Sequence, residues 1–147
     1  MTKSTQITQP LREWMDVFIH RSMRGWNQFA KSTGLSMPQF SILMQLHYKG
    51  ACGMSAISER FDVSAAAASQ LVEKLVQAGY IERTEDPSDR RAKLLKLSTN
   101  GAKLVDKGIQ ERYRWMDELT GKLTAEERGK VAEALTLLTE KAREVDK

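Results

Sequence analysis

From Leu11 onward the apolar positions recur at three- to four-residue steps: Leu11, Met15, Phe18, Ser22/Met23, Trp26 and Phe29/Ala30. That period places one apolar stripe along a helix. It predicts a first helix from about Pro10 to Lys31, stopped by Gly34. Ser36-Met37-Pro38-Gln39 has the form of a capping box with Pro in the first turn. It opens a second helix whose inward positions are Phe40, Leu43 and Leu46, and which ends at Lys49-Gly50. A short third helix is expected from Ser55, as its cap, to Phe61. Asp62-Val63-Ser64 then reads as a tight turn. Ser64 caps a fourth helix from Ala65 to about Ala78, with Leu71, Val72, Leu75 and Val76 inward and Gly79 as its stop.

At Tyr80 the period changes from 3.6 to 2. Tyr80 to Thr84 reads as a strand, Glu85 to Arg91 as a polar loop, and Ala92 to Leu97 as the returning strand. Ser98 caps a further helix running to about Leu119, with Gly101 in its first turn. Gly121 breaks it. Thr124 caps a last helix in which Val131, Leu135, Leu138, Ala142 and Val145 follow the spacing of a coiled-coil seam. The expected fold class is mainly α with a small two- to three-stranded β wing: a winged helix-turn-helix carrying a helical arm. The expected division is 36–98 for the winged domain and 9–33 plus 99–147 for the arm.

Composition adds limits. The 147 residues are 41% hydrophobic, enough for an ordinary soluble core. No apolar run approaches the roughly 18 residues that span a bilayer, and Met1 to Gln9 lacks the apolar stretch of a signal peptide. A cytoplasmic location is expected. Cys52 is the single cysteine, so no intramolecular disulfide can form, and no His/Cys cluster has metal-ligand spacing. No phosphate loop or nucleophile elbow is present. The chain therefore reads as neither an enzyme nor a holder of a metal or cofactor. Its net charge of +4 lies wholly in residues 1–49; residues 50–96 hold seven basic and seven acidic side chains. Bulk charge is weak support for a nucleic-acid partner, and local motifs have to carry that case.

Those motifs are Leu75-Val76-Gln77-Ala78-Gly79-Tyr80-Ile81-Glu82-Arg83, then Asp86-Pro87-Ser88-Asp89-Arg90-Arg91-Ala92, then Leu97-Ser98-Thr99-Asn100-Gly101. In this order, and across roughly Leu11 to Val145, the chain resembles the MarR family of bacterial regulators. The resemblance implies a DNA-binding regulator of transcription, read here as a repressor, acting on a pseudo-palindromic site as a homodimer. In a helix-turn-helix the second helix reads base edges in the major groove from its N-terminal half. Here that half offers Ser64, Ala65, Ala66, Ser69 and Gln70, with Lys74 one turn on. Gln70 can bond adenine bidentately. Ala67 and Ala68 are as well explained by packing. Many relatives carry a basic residue at Gln70 and bulkier residues among the alanines, so direct readout should be thin, A·T-biased and dependent on shape. At the wing, the resemblance implies that Asp89 orients Arg91 into a minor groove, with Arg90 on phosphate or sharing the groove; a hairpin-locking salt bridge is the competing reading. Lys93 and Lys96 are phosphate candidates or simply solvated, and Arg60 is a weaker one.

The first helix and the last two are longer than one small core requires. Their surplus apolar faces point to a homodimer built from about 9–30 and 104–145. The resemblance also implies a pocket for a small phenolic or aromatic effector; the candidate walls are Trp14, His20, Trp26, Met44, His47 and Trp115. The alternative function is a winged-helix protein-interaction module without DNA binding, which would have no use for a protruding Asp-Arg-Arg tip.

Overall fold

The computed structural model describes residues 3–145, apart from the side chains of residues 3–5 and 90. The elements are α1 (Lys3–Thr33), α2 (Met37–Lys49), β1 (Cys52–Gly53), α3 (Met54–Phe61), α4 (Ala65–Gln77), β2 (Ile81–Asp86), β3 (Asp89–Leu97), α5 (Thr99–Gly121) and α6 (Ala125–Val145). The chain divides into two compact units, Met1–Arg112 and Tyr113–Lys147.

In the first unit, α1 starts upstream of the expected Pro10, which sits inside the helix. Pro10 denies its own N–H to the carbonyl four residues back, yet the helix continues through it. The stop at Gly34 is as expected, with φ +73°. The α2 capping box is complete: Gln39 N donates to Ser36 Oγ at 3.3 Å and Ser36 N to Gln39 Oε1 at 2.9 Å. Phe40, fully buried, receives Trp26 and Phe29 edge-on at 4.7 and 5.8 Å between ring centroids. A second cluster gathers Ile42, Leu43, Leu46, Ile57, Ala68, Val72, Leu75, Ile81, Leu95 and Val105. Here α2, α3, α4, the sheet and the start of α5 share one core, which fixes α4 against the wing.

Two expectations around α3 are corrected. Its cap is Gly53, with no side-chain bond, and Ser55 lies inside the helix. Cys52 and Gly53, left between the expected second helix ending at Lys49-Gly50 and the third starting at Ser55, form the short strand β1, paired antiparallel with Leu95 and Leu94. The sheet is thus three-stranded, in the order β1-β3-β2. The turn after α3 hinges on Asp62, in the left-handed region at φ 49°, a conformation Asp tolerates better than most residues.

The junction from α4 to α5 is the most closely made part of the unit. Gly79 (φ +81°) ends α4 in a Schellman arrangement, with Tyr80 N donating to Leu75 O and Gly79 N to Val76 O. After the wing, Ser98 returns to the same place. Its N–H donates to Tyr80 O at 3.0 Å, its hydroxyl donates to Gly79 O, and that hydroxyl accepts from Gly101 N at 3.0 Å. Gly101 lies so close to the Tyr80 carbonyl that a Cβ there would overlap it. A second close approach joins α1 to α5: a Cβ on Gly108 would meet Phe29 at 2.9 Å and Trp26 at 3.0 Å.

The second unit holds the end of α5 and α6. Thr124 and Glu127 form a reciprocal capping box at the start of α6 (2.8 and 3.2 Å). None of the described α6 residues is buried. Of the seam positions, Val131, Leu135 and Val145 are exposed and Leu138 is half-buried.

Candidate nucleic-acid interface

The outward face of α4 is set by its cap. Ser64 is extended (φ −63°, ψ 157°), and its hydroxyl accepts from Ala67 N at 3.1 Å. That bond satisfies one of the free amides of the first turn. Ala68, Val72 and Leu75 point into the core and are fully buried. The helical period therefore turns Ala65, Ala66, Ser69, Gln70 and Lys74 outward, and all five are exposed. Ala67 is half-buried, so the tetrad divides in two: Ala65 and Ala66 form surface, while Ala67 and Ala68 pack. No acidic residue occurs between Ser64 and Val72.

The wing is tighter than the sequence suggested. The strands run to Asp86 and from Asp89, leaving only Pro87 and Ser88 as the turn. Arg90 and Arg91 thus belong to β3 rather than to a loop, because both acids at the tip bond backbone that a looser loop would leave to water. Asp86 Oδ1 accepts from Ser88 N at 2.9 Å and from Ser88 Oγ at 2.7 Å. These bonds hold the Asp86 carboxyl below its ordinary pKa. Asp89 Oδ1 accepts from Arg91 N at 2.9 Å, so the acid fixes the arginine's backbone two residues on. The Arg91 side chain is exposed; that of Arg90 lies outside the described residues.

Further pairs along the hairpin carry no sequence motif. Register places Glu82 opposite Lys96 and Glu85 opposite Lys93. The side chains meet across the ladder at 3.5 and 3.6 Å. Lys93 and Lys96 thus each have an acid beside them, whereas Lys74 and Arg60 have no ion-pair partner among the described residues. Arg83 Nη2 pairs with Glu73 Oε2, tying β2 to α4. Alternating charge in two strands was the available signal for the ladder; the helix-to-wing pair joins residues ten positions apart that only folding brings together.

The five suggested effector residues that lie in the first unit do not share one groove. Trp26 is core. Trp14 is half-buried against Phe18, ring centroids 6.4 Å apart. His20 is exposed and lines a shallow groove with Asp16, Ile19, Met23, Arg24 and Asn27. Met44 lines a different groove, with residues of α2 and α3. His47 is exposed, edge-on to Tyr48 at 5.0 Å. Trp115, half-buried, belongs to the second unit. Among the described residues no group of three or more His, Cys, Asp or Glu side chains is placed to hold a metal, and no helix is long and apolar enough to cross a membrane.

Comparison with known proteins agrees with this geometry. The MarR family model matches residues 35–93, the span from α2 into β3. The HTH-type transcriptional regulator YfiV of Bacillus subtilis is 30% identical over 106 residues, which are 71% of this chain and 66% of YfiV; for another B. subtilis relative the share is 62%. The chain thus spans less than two thirds of the length of these two curated relatives. The crystal structure of the transcriptional regulator Tm0710 from Thermotoga maritima superposes with a TM-score of 0.84 at 26% identity, covering 95% of this chain and 99% of that one. A mutant MarR from Escherichia coli complexed with operator DNA shares the fold, with a TM-score of 0.56 at 24% identity over 94% of this chain and 99% of that one. The helix-turn-helix, the three-stranded wing and these matches together place the chain in the MarR family, with its winged helix-turn-helix fold.

Proposed function

We propose that this chain binds a pseudo-palindromic DNA site as a homodimer and represses transcription there. The exposed N-terminal half of α4 enters the major groove and the Pro87-Ser88 hairpin tip enters the flanking minor groove. The observation that carries this reading is the outward, acid-free face Ala65, Ala66, Ser69 and Gln70, held on a packed core beside a projecting hairpin. In this reading Gln70 and Ser69 contact base edges, and Ala65 and Ala66 admit thymine methyls. Arg91 occupies the minor groove with Arg90 beside it, Asp89 holds the turn, and Ser64, Lys74 and Lys93 lie against the backbone. A protein of the same fold complexed with operator DNA supports the assignment.

Dimerisation is supported by apolar side chains left at the surface of each unit taken by itself. Ile7, Leu11, Met15 and Ile19 are exposed on α1, and Val131, Leu135 and Val145 on α6. A second copy would remove this area from water. Release of DNA by a small aromatic effector belongs to the same proposal.

A gel-shift titration against the protein's own promoter region tests this reading. Arg91→Ala should weaken binding and reduce the slope of log K against log salt by about 0.9, the value for one phosphate neutralised. Sedimentation should give twice the protomer mass. Wild-type affinity in both Arg90→Ala and Arg91→Ala would remove the wing from the interface. A monomer in sedimentation would remove the two-fold site.

A further inference from the structure

Helix α2 carries apolar side chains on two faces. Phe40, Ile42, Leu43 and Leu46 are buried in the core. Met37, Met44 and Tyr48 recur at helical spacing on the other side, where Met37 is 44% and Tyr48 66% exposed. A helix that is apolar all round is ordinarily covered all round, yet among the described residues nothing covers this stripe. Beside it, between α2 and the end of α3, runs a groove of about 330 Å³. Its apolar lining is Met44 and Phe61, both half-buried, with the ring of Tyr48 alongside. Lys49 and Arg60 line it too, both exposed, and no acidic residue does. Among the described residues neither cation has an acid within 4.0 Å, although Glu59 and Asp62 flank Arg60 in the chain; Arg83, Lys93 and Lys96 of the same domain each face a glutamate. The side-chain oxygen of Gln45, in the same groove, is shielded from solvent without a hydrogen-bond donor, which is costly until a donor arrives.

From these features together we infer that the outer face of α2 is a docking surface for an acidic segment of a partner protein, one that carries large apolar side chains between its carboxylates. The apolar side chains cover Tyr48 and fill the groove against Met44 and Phe61. The carboxylates meet Lys49 and Arg60, whose guanidinium fork matches two carboxylate oxygens. A main-chain N–H of the segment reaches Gln45. Charge complementarity selects this occupant: two unpaired cations border an apolar stripe on a helix without an acid, so acidic partners are drawn in and basic ones repelled. A phosphate backbone would pair with the cations but leave Met44, Phe61 and Tyr48 in water, forgoing the apolar burial. A second copy, docking by this same face about a two-fold axis, would bring cations towards cations. Met37 to Tyr48 spans about 16 Å of helix, a length that suits a stretch of chain. No α4 residue lines the groove, and the inference does not rest on the DNA-binding reading.

The probe is a fluorescein-labelled, amidated decapeptide, EDLLEDLLDE, titrated with the full chain; anisotropy reads the affinity and amide chemical shifts read the place. Shifts should concentrate on residues 37–49 and 58–61. The same peptide with serine for leucine should bind about tenfold more weakly, and one with lysine for every acid should not bind measurably. Arg60→Gln should weaken binding about tenfold, the loss of one charge-assisted bond. Tyr48→Ser should weaken it about fivefold through lost apolar contact; both side chains are exposed, so both variants should fold. Gln45→Met should weaken it by a smaller factor while leaving the melting temperature equal or higher, since the shielded oxygen is gone. No shifts at millimolar peptide, or shifts centred on α1 or α4, would overturn the inference. Equal binding of the serine peptide would reduce it to plain charge attraction and overturn it. Polyphosphate moving the same resonances as strongly would turn the face into a phosphate contact, and concentration-dependent shifts there without peptide would hand it to a second copy; either result overturns the inference, as would wild-type binding in both Arg60→Gln and Tyr48→Ser.

Discussion

Replacing Ser98 by alanine should cost more stability than any exposed change on the wing. Its hydroxyl makes two bonds at once, donating to Gly79 O and accepting from Gly101 N, and Ser98 itself is buried. Loss of the cap on α5 costs about 1 kcal/mol. Leaving the Gly79 carbonyl short of a donor adds about 1–2 kcal/mol. Together the change is about 2–3 kcal/mol, which for a chain of this length lowers the melting temperature by roughly 6–12 °C. Urea denaturation followed by circular dichroism, at one fixed protomer concentration because association adds to stability, should show a lower midpoint with an unchanged m value. Ser98→Thr keeps the hydroxyl and should lose much less. If Ser98→Ala lies within about 0.5 kcal/mol of wild type, the range of an ordinary surface substitution, the junction is not held as described.

Three further outcomes follow from the geometry. Gly108→Leu should destabilise by about 1–3 kcal/mol through overpacking, since even a Cβ there meets Phe29 and Trp26; a melt at or above the wild-type temperature would mean that α1 and α5 are not in close contact. Asp86 is held below its ordinary carboxyl pKa by the two Ser88 bonds, so its contribution is present above the unfolded value of about 3.9 and is lost as pH falls through the folded one. The Ser88 amide resonance should therefore move in that acid range, and Asp86→Asn should abolish the movement. Burial raises the Cys52 thiol pKa, so its reaction with a disulfide reagent near pH 8 should be slower in the folded chain than in urea; equal rates would contradict the half-buried position in β1.

Much of this was legible because local chemistry and tertiary packing agree. The Ser36, Ser64 and Thr124 caps, the Gly34 and Gly79 stops and the change of period at Tyr80 each stand where the sequence put them. Local signals misplaced what depends on partners. Pro10 looked like a helix start, yet it lies inside α1. Cys52-Gly53 carries no strand signal and becomes β1 only because β3 offers Leu94 and Leu95 as partners. Glu85 to Arg91 looked like one polar loop because polarity alone does not reveal that two carboxylates bond the backbone amides of Ser88 and Arg91. The outward face of α4 followed from period and cap. The groove between α2 and α3 did not, because Gln45 and Arg60 are 15 positions apart in the chain and only folding makes them neighbours.

The ladder of opposed glutamates and lysines along the wing has a consequence for encounter kinetics. A hairpin whose lysines are already beside acids presents little net field beyond about one Debye length, some 8–10 Å at ordinary salt. Long-range steering by this hairpin would then be weak. Association with a charged polymer should proceed nearer the unsteered rate of about 10⁵–10⁶ M⁻¹s⁻¹ than the steered limit. Exchanging Glu82 and Glu85 for glutamine would unmask Lys96 and Lys93, which raises the on-rate and its dependence on salt while leaving the α4 face untouched. For this chain, the speed of finding a site and the choice of site would be separable by design.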